Sequence, residues 1–163
     1  MLSSGSSREA VSSRERKGHY LADDLSGNGA AIAGGRWNPR GMRVLHTCCH
    51  ASTSLLEALV HMSGLLPAGG FFLVTLEVPD TVHDNAYQPD LPDDWAVLSQ
   101  DPESTARIGQ AWLEAGESLA MRVPSVVCPT DFNLLLNPMH ADFASSVKVI
   151  GKEAFALDPR LFG

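Results

Sequence analysis

The chain has 163 residues, 44% of them hydrophobic and 19% charged, with a formal net charge of −7 at pH 7. That length and composition suit one domain with a real core and exclude disorder over most of the chain. The acidic balance offers no footprint for a phosphate backbone, so no direct nucleic-acid partner is expected, although a local arginine cluster can still hold a small anion. Three cysteines with no CxxC pair make neither a disulfide framework nor a zinc motif; they read as small reduced thiols, and no metal is expected. The longest apolar runs, such as Gly69 to Leu76, are too short to cross a bilayer, and the Ser-rich start has no apolar signal-like core. A cytoplasmic protein is therefore expected.

In chain order, Met1 to Ser13 is Ser-rich and reads as a flexible lead-in, with the folded domain spanning 14–163. Tyr20 to Gly41 is dense in small residues, which suits tight bends or close ligand approach, but no apolar strand precedes it as a dinucleotide fingerprint requires. Arg43 to Thr47 reads as a short strand. Ser52 to His61 reads as a helix capped by Ser52 or Thr53, with Leu55, Leu56, Leu59 and Val60 apolar. Phe71 to Val78 has the aromatic and β-branched content of a buried strand. Asp80 to Pro102, punctuated by prolines, reads as loop with a turn at Asp93 to Val97. Thr105 to Glu114 is a helix that packs Ile108, Ala111 and Trp112 inward. Ala120 to Val127 is a strand that Pro124 restricts to an edge or kink. Asn133 to Asn137 and Val147 to Ile150 are further short strands, and Ala154 to Leu157 closes the sheet. Strands and helices mix without βαβ alternation, so the class is α+β.

Three stretches place polar groups where the pattern otherwise asks for core. In Gly34-Gly35-Arg36-Trp37-Asn38, a guanidinium beside two glycines can present its planar fork to a phosphate, with Trp37 as anchor and Asn38 fixing the turn by an Asx-type bond. The plain alternative is a glycine turn with a surface Arg36. Glu57 sits within Leu55-Leu56-Glu57-Ala58-Leu59. It either faces solvent or points into a cleft, where a carboxylate can stabilise an oxocarbenium-like charge. Ser125, after Pro124, lacks the GxSxG elbow of a serine hydrolase; it is a buried hydroxyl or a ligand-binding one. His140, His61, His83, His50 and His19 read as structural or surface histidines.

The ordered strings Leu25-Ser26-Gly27-Asn28-Gly29-Ala30, Gly34-Gly35-Arg36-Trp37-Asn38, Ser54-Leu55-Leu56-Glu57-Ala58-Leu59-Val60-His61, Ile108-Gly109-Gln110-Ala111-Trp112-Leu113, Val123-Pro124-Ser125, Asn133 to His140 and Asp158-Pro159-Arg160-Leu161 resemble the RES domain family from about Arg14 to Phe162. The resemblance implies an ADP-ribosyltransferase-like fold, with a split antiparallel β core and surrounding helices. It implies a toxin of a toxin–antitoxin system that takes NAD as substrate and cleaves its nicotinamide–ribose bond, by hydrolysis or phosphorolysis. ADP-ribosylation of a cellular protein is the alternative, and a catalytically weakened, antitoxin-binding regulatory module is a third reading. The implied partner is an Xre-type helix-turn-helix antitoxin, in an oligomeric complex.

Carried over by position, the family's Arg, Glu and Ser fall on Arg36, Glu57 and Ser125. An N-terminal dinucleotide-holding Arg falls on Arg14, with Arg16 as the other register. Arg14, Arg36, His46 and Ser125 are thus the implied NAD-binding set, and Glu57, Arg36, Ser125 and His46 the catalytic one. The family's Val-Leu-Tyr-Thr-Ser strand reads Val44-Leu45-His46-Thr47-Cys48 here, so His46 stands where the family has its active-site Tyr. Imidazole can stack on nicotinamide and donate a hydrogen bond, but it has less ring area than a phenol and repels the cationic ring when protonated.

Overall fold

The computed structural model describes residues 6–15, 23–61, 71–97, 103–158 and 160, with side chains excepted at 12–15. Among these, the order of elements is β1 (Ser7–Glu15), α1 (Asn28–Ala33), β2 (Leu45–Cys48), α2 (Ala51–Val60), β3 (Phe71–Pro79), α3 (Asp80–Asp84), α4 (Glu103–Ala115), β4 (Ala120–Pro124), β5 (Phe132–Leu136), α5 (Phe143–Ser146) and β6 (Lys148–Phe155). The strands form one sheet in the order β4-β5-β2-β1-β3-β6, and every neighbouring pair is antiparallel. This is the α+β arrangement expected, an antiparallel core with helices around it.

The sheet is unevenly knit. β1 pairs with β3 at nine consecutive positions, yet meets β2 at one, Val11 opposite Cys48. Two three-stranded halves, β4-β5-β2 and β1-β3-β6, are therefore joined by a single rung.

Side-chain alternation gives each face of the sheet its own core. On one face lie Ala10, Leu45, Val74, Leu76, Val78, Leu134 and Leu136, with α5 contributing Phe143. On the other, Met121, Val123 and Leu135 pack against Trp37 and Val44 from the segment before β2 and Trp112 from α4.

Several expectations change. Residues 7–13 are not a lead-in but most of β1, because a ladder is made by backbone groups and tolerates Ser, Arg and Glu; only Ala10 and Val11 of its described side chains are buried. Residues 1–5 lie outside the described ones. The residue capping α2 is His50, without a side-chain cap bond, since the Thr53 hydroxyl is drawn to Asp131 instead. Asp80 to Asp84 forms the short α3 inside the stretch read as loop. Ala111 faces solvent; Thr105, Gly109 and Trp112 form the buried stripe of α4. Ala154 belongs to β6 itself, a continuous strand across a bulge at Thr75/Leu76. Pro124 ends the edge strand β4, where its missing N–H costs nothing.

Candidate active site

Gly35 and Asn38 close a two-residue hairpin through reciprocal backbone bonds, Gly35 N–H to Asn38 O at 2.8 Å and Asn38 N–H to Gly35 O at 3.4 Å. Arg36 and Trp37 form its tip. Gly34 enters it at φ 69°, a backbone geometry that favours glycine. Trp37 is buried, its ring 6.1 Å from that of Trp95. The half-buried Arg36 donates Nη1–H to Trp95 O at 2.7 Å, which ties the hairpin to the 93–96 turn.

Asn38 works differently from the expected Asx-type turn. Its buried amide Nδ2 donates to Ala30 O at 2.9 Å and Met42 O at 3.1 Å, stapling α1 to the segment before β2. Carbonyls only accept, so these bonds fix which end of the amide is nitrogen and turn Oδ1 toward His46. The His46 ring nitrogen Nε2, 3.3 Å from Oδ1, therefore carries the proton. In the neutral ring that leaves Nδ1 as the acceptor.

Glu57 is half-buried on α2, and its carboxylate is neither loose in solvent nor alone. Oε1 accepts from Ser125 Oγ at 2.8 Å and from Asn133 Nδ2 at 2.7 Å. Oε2 has no hydrogen-bond partner among the described residues. Ser125 is fully buried; its one hydroxyl proton goes to Glu57, and its oxygen accepts the Cys128 N–H at 3.1 Å. Its immediate job is to hold the carboxylate. Asn133 stood within a family-like string without a role of its own. Only its register on β5, opposite Cys48, brings it to Glu57.

A second latch fastens α2 to the same β4–β5 connection. Asp131 accepts from Thr53 Oγ1, from His50 Nδ1 at 2.9 Å and, through Oδ1, from the Phe132 N–H at 2.8 Å. Burial pushes its pKa up, but these bonds outweigh it and hold the carboxyl below its usual 3.8. Burial, reinforced by Glu57 and Asp131, pushes the Cys48 thiol up to about 12.

These groups share one side of the sheet. His46 and Cys48 are two apart on β2 and so point the same way, about 7 Å apart. Cys48 lies opposite Asn133 and His46 opposite Leu135; Leu135 belongs to the core cluster that contains Trp37. The Arg36 hairpin reaches His46 on β2 through Asn38, and Glu57 and Ser125 reach Cys48 two residues further along β2 through Asn133. The side chain of Arg14 is not among those described; its backbone, on β1, pairs with Phe72 of β3. Arg16 and His19 lie outside the described residues. His140 has a structural contact, its Nδ1 accepting the Asp142 N–H at 3.1 Å in the turn before α5.

The RES domain family matches residues 11–158. A toxin of Yersinia enterocolitica named Toxin Res is 37% identical over 142 residues, covering 87% of this chain and 93% of that one. A protein of Sphingobium named Prs ADP-ribosylating toxin is 38% identical over 150 residues, covering 87% and 89%. Among solved structures, the M. tuberculosis MbcT–MbcA toxin–antitoxin complex contains a chain that superposes with a TM-score of 0.65 at 17% identity, over 97% of this chain and 88% of that one. The fold is shared at low identity, while the ordered sequence and the family match cover nearly the whole length. The chain belongs to the RES domain family.

Proposed function

We propose that this protein is the toxin of a toxin–antitoxin pair and that it consumes NAD by cleaving the bond between nicotinamide and ribose. The observation that carries the reading is the state of Glu57: one carboxylate oxygen held by two neutral donors, the other without a partner among the described residues. Neutral donors stabilise the anion without cancelling its charge, so the carboxylate stays available to a cation. As the C1′–N bond lengthens, positive charge builds on the ribose and Glu57 stabilises it. Nicotinamide leaves as a neutral molecule and needs no general acid.

Arg36, and Arg14 where its strand runs beside the split in the sheet, would take the pyrophosphate. Arg36's present bond to a backbone carbonyl is one that an anion can compete with. His46, with Nε2–H committed to Asn38, would offer its ring face to the nicotinamide. Ser125 would act through Glu57 rather than on the substrate. Water or phosphate then captures the oxocarbenium centre in the cytoplasm.

The likeness at 38% identity to a protein named as an ADP-ribosylating toxin favours a second reading, in which a protein nucleophile replaces water at the same site. The toxin–antitoxin names among the relatives support a dedicated antitoxin as partner, and an Xre-type helix-turn-helix protein is the kind proposed. NAD carrying label in its adenylate half separates the two chemistries. Label in free ADP-ribose or its phosphate supports cleavage; label bound to protein supports transfer. Glu57→Gln keeps the shape and removes the charge, so kcat should fall at least about 100-fold while KM changes little. Equal small effects on both would remove Glu57 from the chemistry.

A further inference from the structure

Behind the Glu57–Asn133 bond lies a third group that the proposed chemistry does not use. Cys48 Sγ is 3.1 Å from Asn133 Oδ1, and both residues are buried, at 5% and 9% exposure. We propose that Cys48 is a positioning residue of the Glu57 site: its S–H donates to Asn133 Oδ1 and so holds the amide with Nδ2 facing the carboxylate. The proposal rests on the reading of Glu57 given above.

The direction of each bond follows from chemistry. A carboxylate only accepts, so the end of Asn133 that meets Glu57 at 2.7 Å must be Nδ2. Oδ1 then faces the sulfur, and an acceptor there requires the thiol to donate. Burial and the nearby carboxylates keep that thiol protonated. An amide's two orientations differ little in shape, so only its hydrogen bonds choose between them. Without the S–H, a buried Oδ1 loses its donor, and a flip of the amide would set Oδ1 against Glu57 Oε1, two acceptors in contact.

The placement of Cys48 is also distinctive. It is the residue at the single rung between the two halves of the sheet, opposite Val11. Its neighbour Thr47 donates Oγ1 to Leu134 O at 2.6 Å, which pins β2 to β5 beside Asn133. The sulfur is therefore held in register with the amide by both strands, and the orientation of Glu57 is set from the sheet as well as from α2.

The test compares full-length wild type with Cys48→Ser, Cys48→Val and Glu57→Gln, measuring kcat and KM for NAD consumption. Serine keeps a donor and valine keeps volume without one. Cys48→Ser should stay within about twofold of wild type, and Cys48→Val should lose roughly three- to tenfold in kcat with KM nearly unchanged. Cys48→Val at the wild-type rate, or serine and valine falling together, overturns the proposal. Glu57→Gln inactive while both Cys48 variants run at the wild-type rate overturns only the role of Cys48; Glu57→Gln at full rate overturns the reading of Glu57 and this proposal with it. If Cys48→Val does not fold, the S–H infrared band of the wild type, assigned by its loss in Cys48→Ser, gives the answer. A band at lower frequency than those of Cys49 and Cys128 supports donation, and an unshifted band refutes it.

Discussion

Replacing Gly109 by alanine tests whether the Arg36 hairpin is set by the helix beneath it. An ideal Cβ at Gly109 would stand 1.7 Å from Trp37 O and 2.7 Å from Trp37 C. An ordinary contact needs α4 and the hairpin to part by roughly 1.5–2 Å. Neither side has an easy retreat, since the obstacle is backbone and Trp37 is packed with Trp112 and Leu135. Overpacking of this kind costs up to about 3 kcal/mol, and alanine's better helix propensity returns about 1 kcal/mol. The net expectation is a loss of about 2 kcal/mol.

Urea unfolding followed by tryptophan fluorescence measures that loss directly, because Trp37, Trp95 and Trp112 are the only tryptophans in the chain and all lie at this junction. KM for NAD should rise several-fold, since Arg36 shares the displaced turn. Gly29→Ala is the control: it lies in α1 with nothing within 4 Å of its ideal Cβ, and should gain up to about 1 kcal/mol. A Gly109→Ala protein as stabilised as Gly29→Ala, with unchanged KM, would refute the contact between helix and hairpin.

Three further outcomes follow from the same geometry. Asp131 has a depressed pKa in the folded state, so its contribution is complete above 3.8 and is lost as the pH falls through the lowered value. The urea midpoint of wild type should therefore drop more steeply than that of Asp131→Asn from about pH 5 to about pH 2; parallel curves would show that the latch is inert. Asn38→Ala takes the amide donor from the Met42 carbonyl and one of two donors from the Ala30 carbonyl, which keeps the Gly34 N–H, and should cost about 1–2 kcal/mol in calorimetry or urea unfolding, whereas a loss below about 0.5 kcal/mol would mean water replaces the amide. His46→Tyr enlarges the ring offered to nicotinamide and removes its titratable charge. NAD turnover should rise; an unchanged rate would remove His46 from the nicotinamide site.

The sequence by itself determined the local elements that depend on side-chain pattern. β3 and β5 were legible from β-branched and apolar runs, α4 from its period, and the edge position of β4 from Pro124, although the strand stops there rather than at Val127. It also marked Arg36, Glu57 and Ser125 as polar groups in unexpected surroundings, and their shared order carried the family. β1 escaped notice because its stability comes from backbone pairing with β3, which a Ser-rich string does not advertise. Thr53 was read as a local cap because nothing nearby in sequence announces Asp131, 78 residues away.

What only the tertiary structure decided is which groups meet. Glu57 could be read as solvated or cleft-facing until α2 docked on the sheet and put Asn133 and Ser125 on one of its oxygens. The tautomer of His46 follows from the amide of Asn38, and the orientation of Asn133 from a carboxylate on one side and a thiol on the other. The hydrogen bonds around Glu57 and Asn133 join residues 68 to 85 positions apart. Periodicity reports how a segment faces its own neighbours, whereas the charge and direction of a buried polar group are set by whatever the folded sheet brings against it.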